Sequence, residues 1–287
     1  MSLQSAITID VDGVRHYHAI HGLPAHPGPD PIWTAGVPRA LELCAAHGVR
    51  ATFFVVTADL SDPAARALVQ RAHAAGHEIA SHSHAHRYDL SALPRGEIEA
   101  DLRRSIEVIT DVTGVPPRGF RAPGYTLSEP LVAALITLGF AYDSSVLRAP
   151  TYWAARAAAR LVMRLRGRSS ASLLGDLRQF LPGYAPPGLR ELPITGVLGW
   201  PWLGTTLALT PAPIGAAATT LACAMPRRDP LVLELHAIDL CDRSDGFSDA
   251  LVRAQPDLRV PLAVKCARLE RALTTLAPGA RPLAAWC

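Results

Sequence analysis

The sequence predicts an α/β fold, a parallel sheet wound with helices into one barrel-like domain. Three observations predict it. Short apolar runs alternate with longer stretches at helical spacing along most of the chain. Several helical stretches open on Pro or a capping residue and close on Gly. Hydrophobic residues make up 49% of the 287 positions and charged residues 18%, enough apolar matter for a sizeable core. An α/β barrel of this length commonly folds as a single domain.

The elements follow in order. Residues 7–10 read as a strand, and 37–48 as a helix with Pro38 near its start and Gly48 at its end. ATFFVV at 51–56 is a buried strand, 63–75 a helix closed by Gly76, and 78–81 a strand. Residues 95–113 form a long helix with acidic residues early. A strand at 119–122, a helix at 128–138 capped by Ser128 and a strand at 140–144 continue the alternation. Such alternation implies right-handed crossovers in a parallel sheet.

Between 149 and 188 the pattern breaks. This stretch is rich in Arg, and Asp176 is its one acidic residue. Its first half reads as a basic amphipathic helix, either packed on the barrel or set against lipid headgroups or a lipid phosphate. Alternation then resumes with a strand at 190–194, a helix at 212–224 and the very apolar strand 231–236. A helix at 261–276 and a short strand at 282–285 close the chain.

Charge and cysteine content exclude several classes. A net charge of +3 is far from the bias of a nucleic-acid binder. The five cysteines are scattered and never in a CxxC spacing, so a disulfide framework or cysteine zinc site is not expected. No run approaches 18 apolar residues, so no membrane span is expected. The opening MSLQSAITIDVDG carries no signal-peptide pattern. The expectation is therefore a cytoplasmic protein, with peripheral contact at the inner membrane face as a further expectation.

Three features at the carboxyl ends of predicted strands carry chemistry, and in a (β/α) barrel that end holds the active site. Asp10 and Asp12 leave the first strand into a turn at Gly13. Side by side they would repel unless a cation or a shared proton sits between them, although Asp-rich strand-to-loop turns also serve as helix caps. His82, His84 and His86 follow the strand at 78–81, a cluster that favours metal ligation. Spacing alone leaves the ligating pair open; His82 and His86, four apart, suit one helical turn, with His84 pointing away. His236 ends the strand LVLELH and would emerge at the barrel mouth.

Together these motifs resemble the polysaccharide-deacetylase family, of NodB homology, also called carbohydrate esterase family four. TIDVDG at 8–13 stands in place of the family's TFDDG, with one residue between the two Asp. His82-Ser83-His84-Ala85-His86 matches its His-Ser/Thr-x-x-His motif, and Arg121-Ala122-Pro123-Gly124-Tyr125 its Arg-x-Pro motif. Tyr142-Asp143-Ser144-Ser145 is similar to the loosest, fourth motif, and Leu233-Glu234-Leu235-His236 matches the last. The order agrees over 7–236.

The resemblance implies a single distorted (β/α) barrel of about seven strands, with a helical insertion near 150–188. It also implies an enzyme that removes an N-acyl group, acetyl or formyl, from an aminosugar or glycoconjugate. Asp12, His82 and His86 would hold one divalent metal, zinc foremost, with cobalt, nickel or iron also accepting such ligands. Asp10 would be the general base, paired with Arg121, and His236 the general acid. The Gly124 N–H, with Tyr125 beside it, would face the oxyanion or the substrate. Asp143 or Asp239 would orient His236 or Arg121. The family's polymer-cleaving members usually have Pro after the Asp motif; here Val14-Arg15-His16-Tyr17-His18 follows. His16, His18 and His21 are read as a loop, either solvated or serving as a lid or accessory ligands. Lipid-linked aminosugar deformylases of the superfamily share the I-D-V-D core, which adds a lipid-linked substrate to the expectations. The alternatives are a hydrolase of non-sugar cyclic or linear amides, and a catalytically silent carbohydrate-binding homologue.

Overall fold

The computed structural model describes residues 3–165 and 184–287. The strands are β1 (Ser5–Val11), β2 (Thr52–Val55), β3 (Glu78–Ser81), β4 (Gly119–Phe120), β5 (Tyr142–Asp143), β6 (Arg190–Glu191), β7 (Gly196–Val197), β8 (Trp200–Pro201) and β9 (Leu231–His236). The helices are α1 (Val14–His21), α2 (Val37–Ala46), α3 (Pro63–Ala74), α4 (Arg95–Thr113), α5 (Glu129–Thr137), α6 (Pro150–Leu165), α7 (Gly204–Leu209), α8 (Ala212–Ala224), α9 (Asp249–Ala254) and α10 (Leu262–Leu276).

Seven strands form one parallel sheet in the order β6-β5-β4-β3-β2-β1-β9. It curls into a distorted barrel, as expected. Its edges are linked by main chain: the Thr195 N–H donates to the Val232 carbonyl at 3.2 Å, and Leu203 bridges to Glu234. β7 and β8 form a separate antiparallel hairpin.

Strand parity divides the side chains. On β1, Ile7, Ile9 and Val11 pack outward under the helices, in a core shared with Phe53, Val55, Leu233 and Leu235. Ala6 points the other way, into an inner cluster with Phe54, Ala80, Tyr142 and Val232. Thr8 and Asp10 share the parity of Ala6, and Glu234 and His236 that of Val232. The carboxyl ends of β1 and β9 thus bring Asp10, Glu234 and His236 into the barrel, while Glu78 at the amino end of β3 accepts hydrogen bonds from Thr52, at the amino end of β2, and from Tyr142.

The long elements fall where their periodicity places them: α4 spans Arg95–Thr113, and α5 is capped by the Ser128 hydroxyl accepting from the Leu131 N–H. Three expectations are corrected. The segment at 14–21 is helix, not loop. Residues 82–86 are not a helical turn; Ser83 and His86 have φ of 66° and 51°. The predicted last strand is a 3₁₀ turn, Leu283–Trp286, with Leu283 plugging the inner cluster and its N–H donating to Thr52 Oγ1 at 2.8 Å. The insertion near 150–188 is described only for α6 and from residue 184 on. Its stretch at 166–183 lies outside the described residues. Among the described residues, no helix is long and apolar enough to cross a membrane.

Candidate active site

β1 carries Asp10 to the barrel mouth beside His236, its register partner on β9. Asp10 is fully buried, and Oδ1 accepts from Arg121 Nη1 at 2.5 Å. A buried carboxylate needs such a partner. Arg121 is itself fully buried and held on every side: Nη1 also donates to Thr8 Oγ1 (3.0 Å), Nε to the Ser144 carbonyl (2.8 Å) and Nη2 to Ser144 Oγ (2.8 Å). Its guanidinium lies 4.1 Å over the Phe54 ring. Asp10 Oδ2 has no hydrogen-bond partner.

Asp12 lies just past the strand. Its buried Oδ1, also unpartnered, is 3.3 Å from His82 Nε2 and 3.4 Å from His86 Nε2. The Nδ1 of His82 meets the Arg121 carbonyl at 2.8 Å, which fixes the ring with Nε2 inward. Burial, then the neighbouring His82 and His16, hold the His86 imidazole well below its ordinary pKa. Donor atoms of Asp12, His82 and His86 all lie within 4.8 Å of one another, as a metal requires.

The positive φ at Ser83 and His86 is sustained by polar contacts. Ser83 Oγ accepts from the His86 N–H (2.9 Å), and the Asp101 carboxylate of α4 accepts from the His84 and Ala85 N–H groups (2.8 and 3.0 Å). His84 is turned away, with Nδ1 3.0 Å from Thr57 Oγ1.

The turn after β4 brings Gly124 and Tyr125 to the same mouth. Gly124 has φ +62°, and a Cβ there would stand 2.8 Å from the Tyr88 ring, so Gly alone fits. Its carbonyl accepts from Arg156 Nη1 at 2.6 Å. The Tyr125 N–H is spent on the Ala122 carbonyl (2.9 Å). The Tyr125 hydroxyl donates instead to Glu234 Oε1 at 2.6 Å and lies 3.4 Å from His236 Nε2.

Asp143 and Asp239, the two carboxylates expected to orient His236 or Arg121, make their hydrogen bonds elsewhere. Asp143 accepts from the N–H and hydroxyl of Ser145 (3.1 and 2.6 Å) and makes no hydrogen bond to Arg121 or His236; Ser144 is the group of that motif that reaches Arg121. Asp239 accepts from the His236 backbone N–H (2.9 Å) and from Thr205 Oγ1 (2.6 Å), so it secures the strand end and not the imidazole.

His16 and His18 do not belong to a solvated lid loop. Both are buried on α1. The His16 ring centre is 4.5 Å from that of His86, and its Nε2 is 3.4 Å from Asp59 Oδ1. His18 bonds the Pro24 carbonyl through Nδ1, and its Nε2 lies 3.3 Å from Ser248 Oγ.

Glu234 is the site residue that motif reading passed over. It is fully buried, and Oε1 stands 3.7 Å from His236 Nε2. Its signal was available: a lone acid in an apolar strand, at the same parity as His236. Asp10, Glu234 and His236 form a second close group. Arg121 pairs with Asp10 and the Tyr125 phenol with Glu234, while Asp10 Oδ2, Glu234 Oε2 and His236 Nδ1 have no hydrogen-bond partner.

Residues 28–142 match the family model described as polysaccharide deacetylase. That span includes His82, His86, Arg121, Gly124 and Tyr125. The peptidoglycan deacetylase of Helicobacter pylori is 29% identical over 150 residues, 50% of this chain and 49% of that protein. The chitooligosaccharide deacetylase of Sinorhizobium fredii is 35% identical over 117 residues, 40% of this chain and 51% of that protein. The matched region thus spans about half the length of these relatives. A family 4 carbohydrate esterase from Streptomyces lividans, solved in complex with acetate, shares the fold, with a TM-score of 0.50 over 97% of this chain and 91% of that one, at 14% identity. Over residues 28–142 the chain is thus similar to polysaccharide deacetylases, and its barrel has the fold of a family 4 carbohydrate esterase.

Proposed function

We propose that this chain is a metal-dependent hydrolase that removes an N-acyl group, acetyl or formyl, from an aminosugar or glycoconjugate. The observation that carries the reading is the meeting of two groups at one barrel mouth. The donor trio Asp12, His82 and His86 stands beside the pair Asp10 and His236, with His82 Nε2 3.8 Å from Asp10 Oδ2. The named activities of the curated relatives support it.

The donor set fits a divalent metal: a buried, unpartnered carboxylate oxygen faces two imidazole nitrogens. One carboxylate and two imidazoles suit zinc first, and cobalt, nickel or iron also. When bound, the ion would supply Lewis acidity toward the acyl carbonyl and acidify water at the site.

The chain's own residues supply the rest. Arg121 pairs with Asp10 through Oδ1, leaving Oδ2 to take the proton of the attacking water. His236 would deliver a proton to the amide nitrogen, which leaves poorly otherwise; one water and one amide give one carboxylate and one amine. The Gly124 N–H is our proposed donor to the oxyanion that develops on the acyl carbon. Tyr125 borders the site through its side chain, its N–H being committed to Ala122 and its hydroxyl donating to Glu234.

A lipid-linked substrate, met by a cytoplasmic protein resting on the inner membrane face, is the finer form of the reading. It is supported by Leu198 and Trp200, 73% and 64% exposed on the β7–β8 hairpin that packs beside α6.

Amine release from a panel of N-acetyl and N-formyl aminosugars, free and lipid-linked, tests the proposal, with cyclic ureides as the competing class. The expected result is turnover of an acylated aminosugar, reduced on the order of 10²–10⁴-fold by Asp10→Asn. Turnover of ureides alone, or a full rate in Asp10→Asn, would overturn it.

A further inference from the structure

We propose that Glu234 is the positioning residue of this site: its carboxylate, anchored by the Tyr125 hydroxyl, orients the His236 imidazole. The inference rests on the reading of His236 as the acid that protonates the leaving amine.

The geometry begins with strand parity. In LVLELH, residues 232, 234 and 236 point into the barrel, and register sets Glu234 beside Thr8 and His236 beside Asp10. A carboxylate with no exposed surface in a strand of Leu and Val is costly to bury without a partner.

Its neighbours define that role. Oε1 receives the Tyr125 hydroxyl at 2.6 Å and stands 3.7 Å from His236 Nε2, with the Tyr125 oxygen 3.4 Å from the same nitrogen. Phenol, carboxylate and imidazole form a closed triangle. Arg121, the other buried cation nearby, is committed to Asp10, Thr8 and Ser144 and makes no hydrogen bond to Glu234. Asp143 and Asp239 both turn to other partners. Glu234, held by Tyr125, and Asp10 through its unpartnered Oδ2 are the carboxylates left beside the ring.

The charges around His236 come from four directions: Glu234 on its own strand, Asp10 and Asp12 at the end of β1, Asp239 in the following turn, and Tyr125 from the turn after β4. Burial alone would push the imidazole down. The carboxylates outweigh it, Glu234 most, and hold its pKa up to about 9; burial first and then Asp10 push the Glu234 carboxyl itself up to about 8, so the two groups titrate as a pair. A metal would take up the charge of Asp12, which leaves Glu234 and Asp10 as the main support.

The test is the titration of the His236 imidazole by NMR in the full chain carrying isotope-labelled histidine, metal-stripped and again with zinc added. His236→Gln identifies the resonance by its loss. In Glu234→Gln the midpoint is expected to fall by about one to three pH units. The alkaline limb of kcat should move with it while KM stays nearly constant. Tyr125→Phe, which removes only the anchor, should move the midpoint the same way by less. An unchanged midpoint in Glu234→Gln overturns the inference; where that variant does not fold, an unchanged midpoint in Tyr125→Phe overturns it. Loss of a bound zinc equivalent in Glu234→Gln, with no change in the midpoint, overturns it in favour of a second cation site. A wild-type chain that cleaves no acylated aminosugar while its midpoint still depends on Glu234 refutes the proposed function and leaves the pairing intact.

Discussion

Replacing Arg121 with Met removes the guanidinium and keeps most of the stem that lies over Phe54. Asp10 then stays fully buried, with Oδ1 stripped of its main donor and Oδ2 already without one. Removing one partner of a buried ion pair costs about 3–5 kcal/mol, because a lone charge remains in a low-dielectric interior. At roughly 2–4 °C per kcal/mol for a chain of this size, the melting temperature should fall by on the order of 10 °C. Adding Asp10→Asn to Arg121→Met removes the stranded charge and should return about 1–3 kcal/mol. The assay is urea or thermal unfolding of the wild type, both single variants and the double variant, all stripped with chelator so that ion binding does not add to stability. Simple additivity of the two single losses would refute the reasoning, since it would mean that Asp10 and Arg121 do not depend on each other.

Two further predictions follow from the same geometry. Gly13→Ala would place a Cβ 2.7 Å from carboxylate oxygens of both Asp30 and Asp59, which cap the start of α1; unfolding experiments should show a loss of about 1–3 kcal/mol. For pH, the His236 pKa is raised from 6.5 to about 9, so its proton is fully retained below about 6.5 and lost as pH rises through about 9. Deacylation should therefore fall on an alkaline limb at or somewhat below about 9, and the stability contributed by this group should fade over 6.5–9; a flat rate across that window would count against His236 as the acid.

Much of the frame was legible because long periodic segments fold as they read. The helix at 95–113 and the strands 78–81 and 231–236 lie where their patterns put them. Helix α1 was hidden because its cap is tertiary. Gly13 offers no side chain, and the first N–H groups are satisfied by Asp59, 46 residues on, and by Asp30, 16 residues on. Local sequence cannot show a cap supplied from that far away. The His82–His86 segment misled for a related reason: four-residue spacing suits a helix, but the Ser81 and Ser83 hydroxyls and Asp101 satisfy a left-handed loop instead. Both segments converge on the same mouth. Asp143 and Asp239 were reasonable orienting groups by proximity in sequence, yet side-chain hydrogen bonds turn each elsewhere. Glu234 was legible by parity, but its partners were not, because the Tyr125 hydroxyl is 109 residues away in sequence.

In the proposed reaction Asp12, His82 and His86 hold an ion that Asp10 and His236 use together. Amine release by chelator-stripped protein, titrated with one divalent metal, tests it most directly. Turnover should vanish on stripping and return at one equivalent in the wild type. Asp12→Ala should neither bind the ion nor recover, and Asp10→Asn should bind it without recovering. Undiminished turnover after complete stripping, or full recovery in Asp12→Ala, would show that the reaction does not use an ion held by these residues.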